Sequence, residues 1–153
     1  MDLKPHAYLA APLFNRRERE FNTELAAVLE PYVHVFLPQR DGYLLVDMIE
    51  AGVPLVVAQR RVFDQDCKAM NKADLLIAVL DGAHVDEGVA FEIGHMAALN
   101  KACVGLQTDV RRALPSGNNP MLASALEHVF NDEHALVQWV SEFARAKGLK
   151  SSA

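Results

Sequence analysis

A run of six apolar residues at positions 75–80 constrains the fold more than any other stretch of this sequence. A strand without polar alternation is buried on both faces, and such strands lie in the middle of parallel sheets. Asp81 and Gly82, which favour turns, follow the run. The pattern therefore predicts an α/β fold with this strand at its centre.

The rest of the chain alternates between strand-like and helix-like patterns. Parallel strands are joined by right-handed helical crossovers, which favours a doubly wound parallel sheet of flavodoxin-like order 2-1-3-4-5. A polar connection after position 38 and a long loop at 109–120 follow predicted strands. Residues 148–153 are expected to fray. Strands are predicted at 6–11, 33–38, 75–80, 102–108 and 128–130, and helices at 17–30, 54–72, 86–100, 121–127 and 133–147.

Length and composition exclude several classes of protein. The chain has 153 residues, and we expect residues 1–153 to form a single domain. A net charge of −5 argues against nucleic acid or an anionic membrane as the partner. The N-terminus lacks a secretory pattern, and Cys67 and Cys103 stand apart without a Cys-x-x-Cys pair. A cytoplasmic location is therefore expected.

Glu92 is the strongest candidate for a functional carboxylate. Asp86 can cap the helix after the central strand, which places Glu92 in its second turn. A helical side chain leans toward the N-terminus, and the residue one turn earlier is Gly88, which cannot cover it. Most helix glutamates are simply solvated, but Phe91 and Ile93 beside Glu92 predict partial burial. We therefore expect an unpaired carboxylate at the carboxyl edge of the sheet, where ligands bind.

Other kinds of site find little support in the sequence. The turn after the first strand has no glycine-rich phosphate loop, and the six histidines show no metal-ligand spacing. No serine or cysteine lies in a nucleophile-elbow context. We expect no metal and no cofactor. The remaining candidates, Asp66, Asp86 and Glu92, are carboxylates of the kind that catalyse glycosyl chemistry.

Four segments of the sequence together resemble the nucleoside 2-deoxyribosyltransferase family. They are positions 8–14, Asp66 ahead of positions 73–82, positions 86–94, and positions 119–121. The similarity covers about residues 6–140, and its most specific part is the acidic-glycine-acidic pattern of positions 86–94. The resemblance implies a flavodoxin-like fold. It also implies cleavage of the N-glycosidic bond of 2'-deoxynucleosides, with transfer of the deoxyribosyl group to another nucleobase.

The resemblance also implies roles for individual residues. Glu92 matches the nucleophile that forms a covalent deoxyribosyl-enzyme, and Tyr8 matches the tyrosine that positions it. Asp66 and Asp86 match the acidic residues that hold and protonate the base.

Further positions of the same resemblance are expected to bind the substrate. They are Pro12, Phe14 and Gly88. Asn119 and Met121 match a pair that the family supplies to the sugar across a subunit interface. A homo-oligomer with shared active sites, acting on a small deoxynucleoside and a nucleobase, is therefore implied.

Two alternatives to this interpretation stay open. Similar enzymes hydrolyse nucleoside 5'-monophosphates, with water as the acceptor. A non-catalytic nucleotide-sensing module on the same fold is the second alternative, since a fold does not determine a function. A phosphate site for the first alternative could come from Arg16, Arg17, Arg111, Arg112, Ser116 and Gly117.

Overall fold

The sheet has the predicted order. The computed structural model describes residues 4–111, 114 and 117–151. Five parallel strands are arranged β2-β1-β3-β4-β5, which confirms the doubly wound order 2-1-3-4-5. The strands are β1 (His6–Ala10), β2 (His34–Phe36), β3 (Leu75–Val79), β4 (Ala102–Leu106) and β5 (His128–Phe130).

The helices differ from the prediction in two places. The polar connection after β2 contains two short helices, because Pro38 provides a favourable first-turn residue and ends the strand early. The last helix continues through residues 148–151, which were expected to fray; residues 152–153 lie outside the described part. Among the described residues, every helix is too short or too polar to span a bilayer. The helices are α1 (Arg16–Leu29), α2 (Pro38–Asp41), α3 (Leu45–Glu50), α4 (Leu55–Lys72), α5 (Glu87–Ala98), α6 (Pro120–Ala125) and α7 (Glu133–Ser151).

The two faces of the sheet have separate apolar cores. All five residues of β3 are buried, as the unbroken apolar run predicts. Leu75, Ile77 and Val79 face the core that α1 and α7 cover, while Leu76 and Ala78 face the core beneath α4 and α5. Full burial of one large apolar side chain stabilises the folded state by roughly 1.5–3 kcal/mol. The many buried side chains of the two cores therefore make the sheet a rigid support for the helices on both faces.

The side chains of β1 divide between the same two cores. Ala7 and Leu9 face the α1 side, and Tyr8 and Ala10 face the α4 and α5 side. Because alternate strand residues point to opposite faces, the register of β1 alone determines that Tyr8 approaches α5. This face of the sheet holds the candidate site.

Candidate active site

Asp86 fixes the first turn of α5. Its Oδ2 accepts hydrogen bonds from the backbone N–H groups of Gly88 at 2.9 Å and Val89 at 3.1 Å, which confirms the predicted N-cap. A β-carbon on Gly88 would lie 3.1 Å from this Oδ2 atom. Glycine at this position therefore leaves the cap undisturbed and keeps the surface beside Glu92 open.

Glu92 is partly buried, as expected, but it is not unpaired. It lines a cavity of about 280 Å³ together with Gly88. The hydroxyl of Tyr8 donates a hydrogen bond to Glu92 Oε1 at 2.5 Å. Tyr8 itself is fully buried, and its ring stacks on Phe36 with the centroids 5.4 Å apart. The expectation of an unpaired carboxylate was wrong because a strand residue 84 positions away reaches it.

Asp66 faces the same cavity from the middle of α4. The chain after β2 passes close to it at Gly42, where an added β-carbon would lie 3.4 Å from Asp66 Oδ1 and 2.7 Å from the carbonyl oxygen of Pro38. Within the described part of the chain, no group donates a hydrogen bond to the Asp66 carboxyl. Burial raises the pKa of this carboxyl to about 6.

The pKa of Glu92 is raised further. Burial is the main cause, and the charges of Asp66 and Asp86 add to it, while the hydrogen bond from Tyr8 acts in the opposite direction. The pKa of Glu92 is about 7 as a result. Burial and the neighbouring Glu92 charge hold the pKa of Tyr8 far above its usual value, so its hydroxyl remains a donor.

Near neutral pH the site therefore holds two carboxyl groups that titrate in the same range. Two groups this close titrate as a coupled pair, and one proton can be shared between them. The proton lies mainly on Glu92, whose pKa is the higher of the two. In the less populated microstate with Glu92 ionised and Asp66 protonated, the pair offers a nucleophile and a proton donor together. That combination suits displacement at a carbon whose leaving group must be protonated.

Apolar side chains make up most of the cavity wall. Leu45 comes from α3, Val62, Phe63 and Met70 come from α4, and Phe91 comes from α5. The rings of Phe63 and Phe91 lie 6.0 Å apart and are tilted by 56°. Such a wall accepts a flat aromatic ligand while keeping water away from the carboxyl groups.

Several cavity residues were not anticipated from the sequence. Gln59, Phe63 and Met70 were not singled out, although with the predicted Asp66 they follow one another at helical spacings of four, three and four residues along α4 and so share one face. This spacing, together with Phe91 beside Glu92, was the signal in the sequence that could have identified these residues as cavity lining. Leu45 gave none, since it lies on a helix that the sequence pattern did not reveal.

Pro12 and Phe14 do not lie in the Glu92 cavity. Pro12 lines a different cavity of about 280 Å³, which it shares with Arg17 and Arg111. The side chain of Phe14 is 75% exposed, and its backbone N–H donates to Glu18 Oε2. Within this chain, neither predicted substrate-binding residue is near Glu92.

Asn119 and Met121 also lie outside the Glu92 cavity of their own chain. Asn119 caps α6 by accepting a hydrogen bond from the Met121 N–H at 2.9 Å. Met121 is 82% exposed. Asn119 lines a surface cavity with His84 and Val85, which belong to the loop between β3 and α5.

Arg16, Arg17 and Arg111, the described arginines considered for phosphate binding, do not line the Glu92 cavity, and two of them pair with acids. Arg16 forms an ion pair with Glu20 at 2.6 Å, and Arg111 Nε donates to Asp109 Oδ2 at 2.9 Å. Arg17 lies with Arg111 on the cavity of Pro12. Gly117 adopts a φ of +104°, while Arg112 and Ser116 lie outside the described residues.

Comparison with known proteins adds the family context. The profile of the nucleoside 2-deoxyribosyltransferase family matches residues 7–143. A nucleoside deoxyribosyltransferase of Limosilactobacillus fermentum is 30% identical over 108 residues, which are 63% of this chain. The chain spans 61% of the length of this curated relative.

Solved structures share the fold. A 2-deoxyribosyltransferase from Bacillus psychrosaccharolyticus superposes with a TM-score of 0.70 at 23% identity, over 86% of this chain and 90% of that chain. A CMP N-glycosidase of Clostridium botulinum superposes with a TM-score of 0.56 at 19% identity, over 88% of this chain and 97% of that chain.

Proposed function

The chain belongs to the nucleoside 2-deoxyribosyltransferase family, and we propose that it transfers the deoxyribosyl group of a 2'-deoxynucleoside to another nucleobase. The observation that carries this proposal is the hydrogen bond from Tyr8 to Glu92, in an apolar cavity that also holds the carboxyl of Asp66. Glu92 supplies the nucleophile and Asp66 supplies the proton that cleavage of an N-glycosidic bond requires. Exchange of bases in this way is a route of nucleobase salvage.

In the proposed first step, the Glu92 carboxylate attacks C1' of the deoxyribose. The C1'–N bond breaks, its electron pair remains on the base nitrogen, and the Asp66 carboxyl delivers its proton to the base. The products are a deoxyribosyl ester of Glu92 and a neutral free base. Asp86, whose charge also acts on Glu92, is the alternative group for holding the base.

The second step reverses the first with a different base. A ring nitrogen of the incoming base attacks C1', its proton passes to Asp66, and Glu92 leaves as a carboxylate. Tyr8 remains a donor throughout, because its own pKa is far above neutral. It orients the attacking oxygen and stabilises the carboxylate when the ester is cleaved.

A neutral nucleoside fits the cavity better than a 5'-monophosphate. Among the described residues that line it, none is a lysine, arginine or histidine, whereas Glu92 and Asp66 both contribute carboxyl groups. A phosphate dianion placed beside these groups meets repulsion instead of the charge-assisted hydrogen bonds it needs. The sugar's 5' end is therefore proposed to be an uncharged hydroxyl.

A shared site is part of the proposal. Asn119 and Met121 lie on the surface and away from their own chain's Glu92. We propose that they reach the sugar bound by a neighbouring subunit, so that the active unit is a homo-oligomer.

Hydrolysis of a nucleotide is the second candidate function. It is favoured by the structural similarity to a CMP N-glycosidase and by the cavity that Arg17 and Arg111 line. In that reaction water takes the place of the second base.

One experiment separates the two candidates. The protein is incubated with a deoxynucleoside and a different free base, and both are followed by chromatography, with and without the base and with the 5'-monophosphate as donor. Transfer predicts an exchanged nucleoside and a total turnover that rises with added base. Deoxyribose 5-phosphate as the main product, without an exchanged nucleoside, would support the hydrolase instead.

A further inference from the structure

Gln59 lies far along the cavity from the reacting carboxyl groups. It precedes Asp66 by seven residues on α4, and both residues line the cavity. Seven residues are about two helical turns, or about 10.5 Å along the helix axis. The lining of the cavity thus runs along α4 from Gln59, its first residue on this helix, past Asp66 two turns later, to Met70.

The side-chain amide of Gln59 is available for a ligand. In the described part of the chain it forms no hydrogen bond to another group. An amide offers both a donor and an acceptor, so it can match an amino or a carbonyl group by rotating. Between Gln59 and Asp66 the wall consists of Val62 and Phe63, which make no hydrogen bonds through their side chains and suit the face of an aromatic ring.

We propose that Gln59 determines base specificity by binding the edge of the base remote from the glycosidic bond, and that the preferred base is a purine. This inference rests on the proposed function. Asp66 must lie near the end of the base that carries the sugar, because that is where the proton is needed. Two fused rings reach farther toward a residue two turns away than a single ring does, so a purine can contact both groups.

The test compares purine and pyrimidine donors. We expect wild-type protein to have a higher kcat/KM for deoxyadenosine and deoxyinosine than for thymidine and deoxycytidine. In Gln59→Leu, kcat/KM for the purine donors should fall about tenfold, the effect of one or two hydrogen bonds, while the pyrimidine values change little. Gln59→Glu keeps an acceptor but removes the donor, so deoxyinosine should lose more than deoxyadenosine. A general loss of packing would lower all four values together.

The matched control is Gln65→Leu, on the same helix but outside the cavity lining. It should leave the purine-to-pyrimidine ratio unchanged. A wild-type preference for pyrimidines, or a ratio that both Gln59 variants leave intact in an active enzyme, would refute the role of Gln59. Wild-type protein inactive toward every deoxynucleoside and nucleotide would instead refute the proposed function, and this inference with it.

Discussion

Tyr8 Oη lies 2.5 Å from Glu92 Oε1 and joins the buried strand β1 to the second turn of α5. The tyrosine cannot move away, because its ring is fully buried and stacked on Phe36. One carboxylate oxygen of Glu92 is thereby held in place, while the side chain as a whole still lines the cavity. A nucleophile positioned in this way enters the reaction with little orientation left to lose.

Replacement of Glu92 by Gln should abolish turnover and leave the fold intact. The variant keeps the shape of the side chain and an acceptor for Tyr8 but has no nucleophile, so kcat should fall by at least about a thousandfold. Steady-state assays with deoxynucleoside and free base measure this. Glu87→Gln, an exposed change in the first turn of the same helix, is the matched control. A Glu92→Gln enzyme with more than about a tenth of wild-type activity would exclude the nucleophilic role, because that loss is only ~1.4 kcal/mol of barrier.

The same variant should alter stability in a pH-dependent way. The pKa of Glu92 is raised to about 7 from its ordinary value of 4.5, so between these values the folded state binds more protons than the unfolded state. The free energy of unfolding of the wild type therefore falls as pH rises through this window. Discounted for partial exposure, the loss is about 1–2 kcal/mol.

Thermal unfolding at two pH values tests this effect. Glu92→Gln should be more stable than wild type at pH 8, and its advantage should disappear near pH 4. A Tm difference that is the same at both pH values would show that ionisation of Glu92 does not destabilise the folded protein.

Tyr8→Phe should move the pH profile toward higher pH. The hydrogen bond from Tyr8 lowers the pKa of Glu92, so its removal raises that pKa. The limb of kcat/KM that reports ionisation of Glu92 should shift upward, and the rate should fall about 10- to 100-fold. Tyr32→Phe, an exposed change away from the cavity, should alter neither quantity. An unshifted limb would mean that the contact does not tune Glu92.

In Asp66→Asn, the pH profile of kcat/KM should lose its falling limb. Wild-type kcat/KM is expected to be bell-shaped with a maximum between about pH 6 and 7, since Glu92 must be ionised and Asp66 protonated. Without the Asp66 carboxyl, Glu92 titrates alone, so the falling limb disappears and a single rising limb that reports the ionisation of Glu92 remains. Maximal activity should drop about 100-fold or more.

Asp64→Asn provides the control for this change. Asp64 lies on the same helix but is exposed and paired with Arg60, so the profile should keep its shape. A falling limb that persists in Asp66→Asn would assign the proton donor to another group, with Asp86 the next candidate.

Two inactive variants should restore activity when mixed, if sites are shared between subunits. Met121→Glu places a charge where we propose that a neighbour's sugar binds, and Glu92→Gln lacks the nucleophile. Mixed oligomers then contain some sites with an intact Glu92 and an intact Met121. The measurement is deoxyribosyl transfer after subunit exchange, confirmed by native mass spectrometry. Leu149→Glu, an equally apolar and exposed position on α7, should stay active alone, and no recovery after confirmed exchange would contradict a shared site.

The local sequence pattern was sufficient to predict the central strand and the N-cap of the helix that carries Glu92. The unbroken apolar run predicts β3 and its central place, because only a strand covered on both faces can bury every residue. The cap at Asp86 depends on contacts within three residues, so it too could be predicted from the sequence. Residues 148–151 were misassigned for the opposite reason: no local signal showed that the last helix extends through them.

The short helices α2 and α3 show where local pattern stops being informative. Helices of four and six residues are not stable by their own propensity and exist because the rest of the fold supports them. Leu45 and the backbone at Gly42 reach the site on this segment. The contribution of this segment to the cavity wall therefore could not be predicted from the sequence.

The sequence by itself determined the central strand, the helix that carries Glu92 and the identity of the acidic residues, since each of these follows from periodicity, capping or residue type over short distances. The strand order was favoured by the rule of right-handed crossovers. The family resemblance implied that Tyr8 and Asp66 act with Glu92. Only the tertiary structure supplied the hydrogen bond between Tyr8 and Glu92 and the cavity they share with Asp66, and only it placed Pro12 and Phe14 elsewhere. The physical reason is that these relations depend on the register of β1 and on the packing of α4 against α5. The raised pKa values of Glu92 and Asp66 come from the same packing, because burial is their main cause.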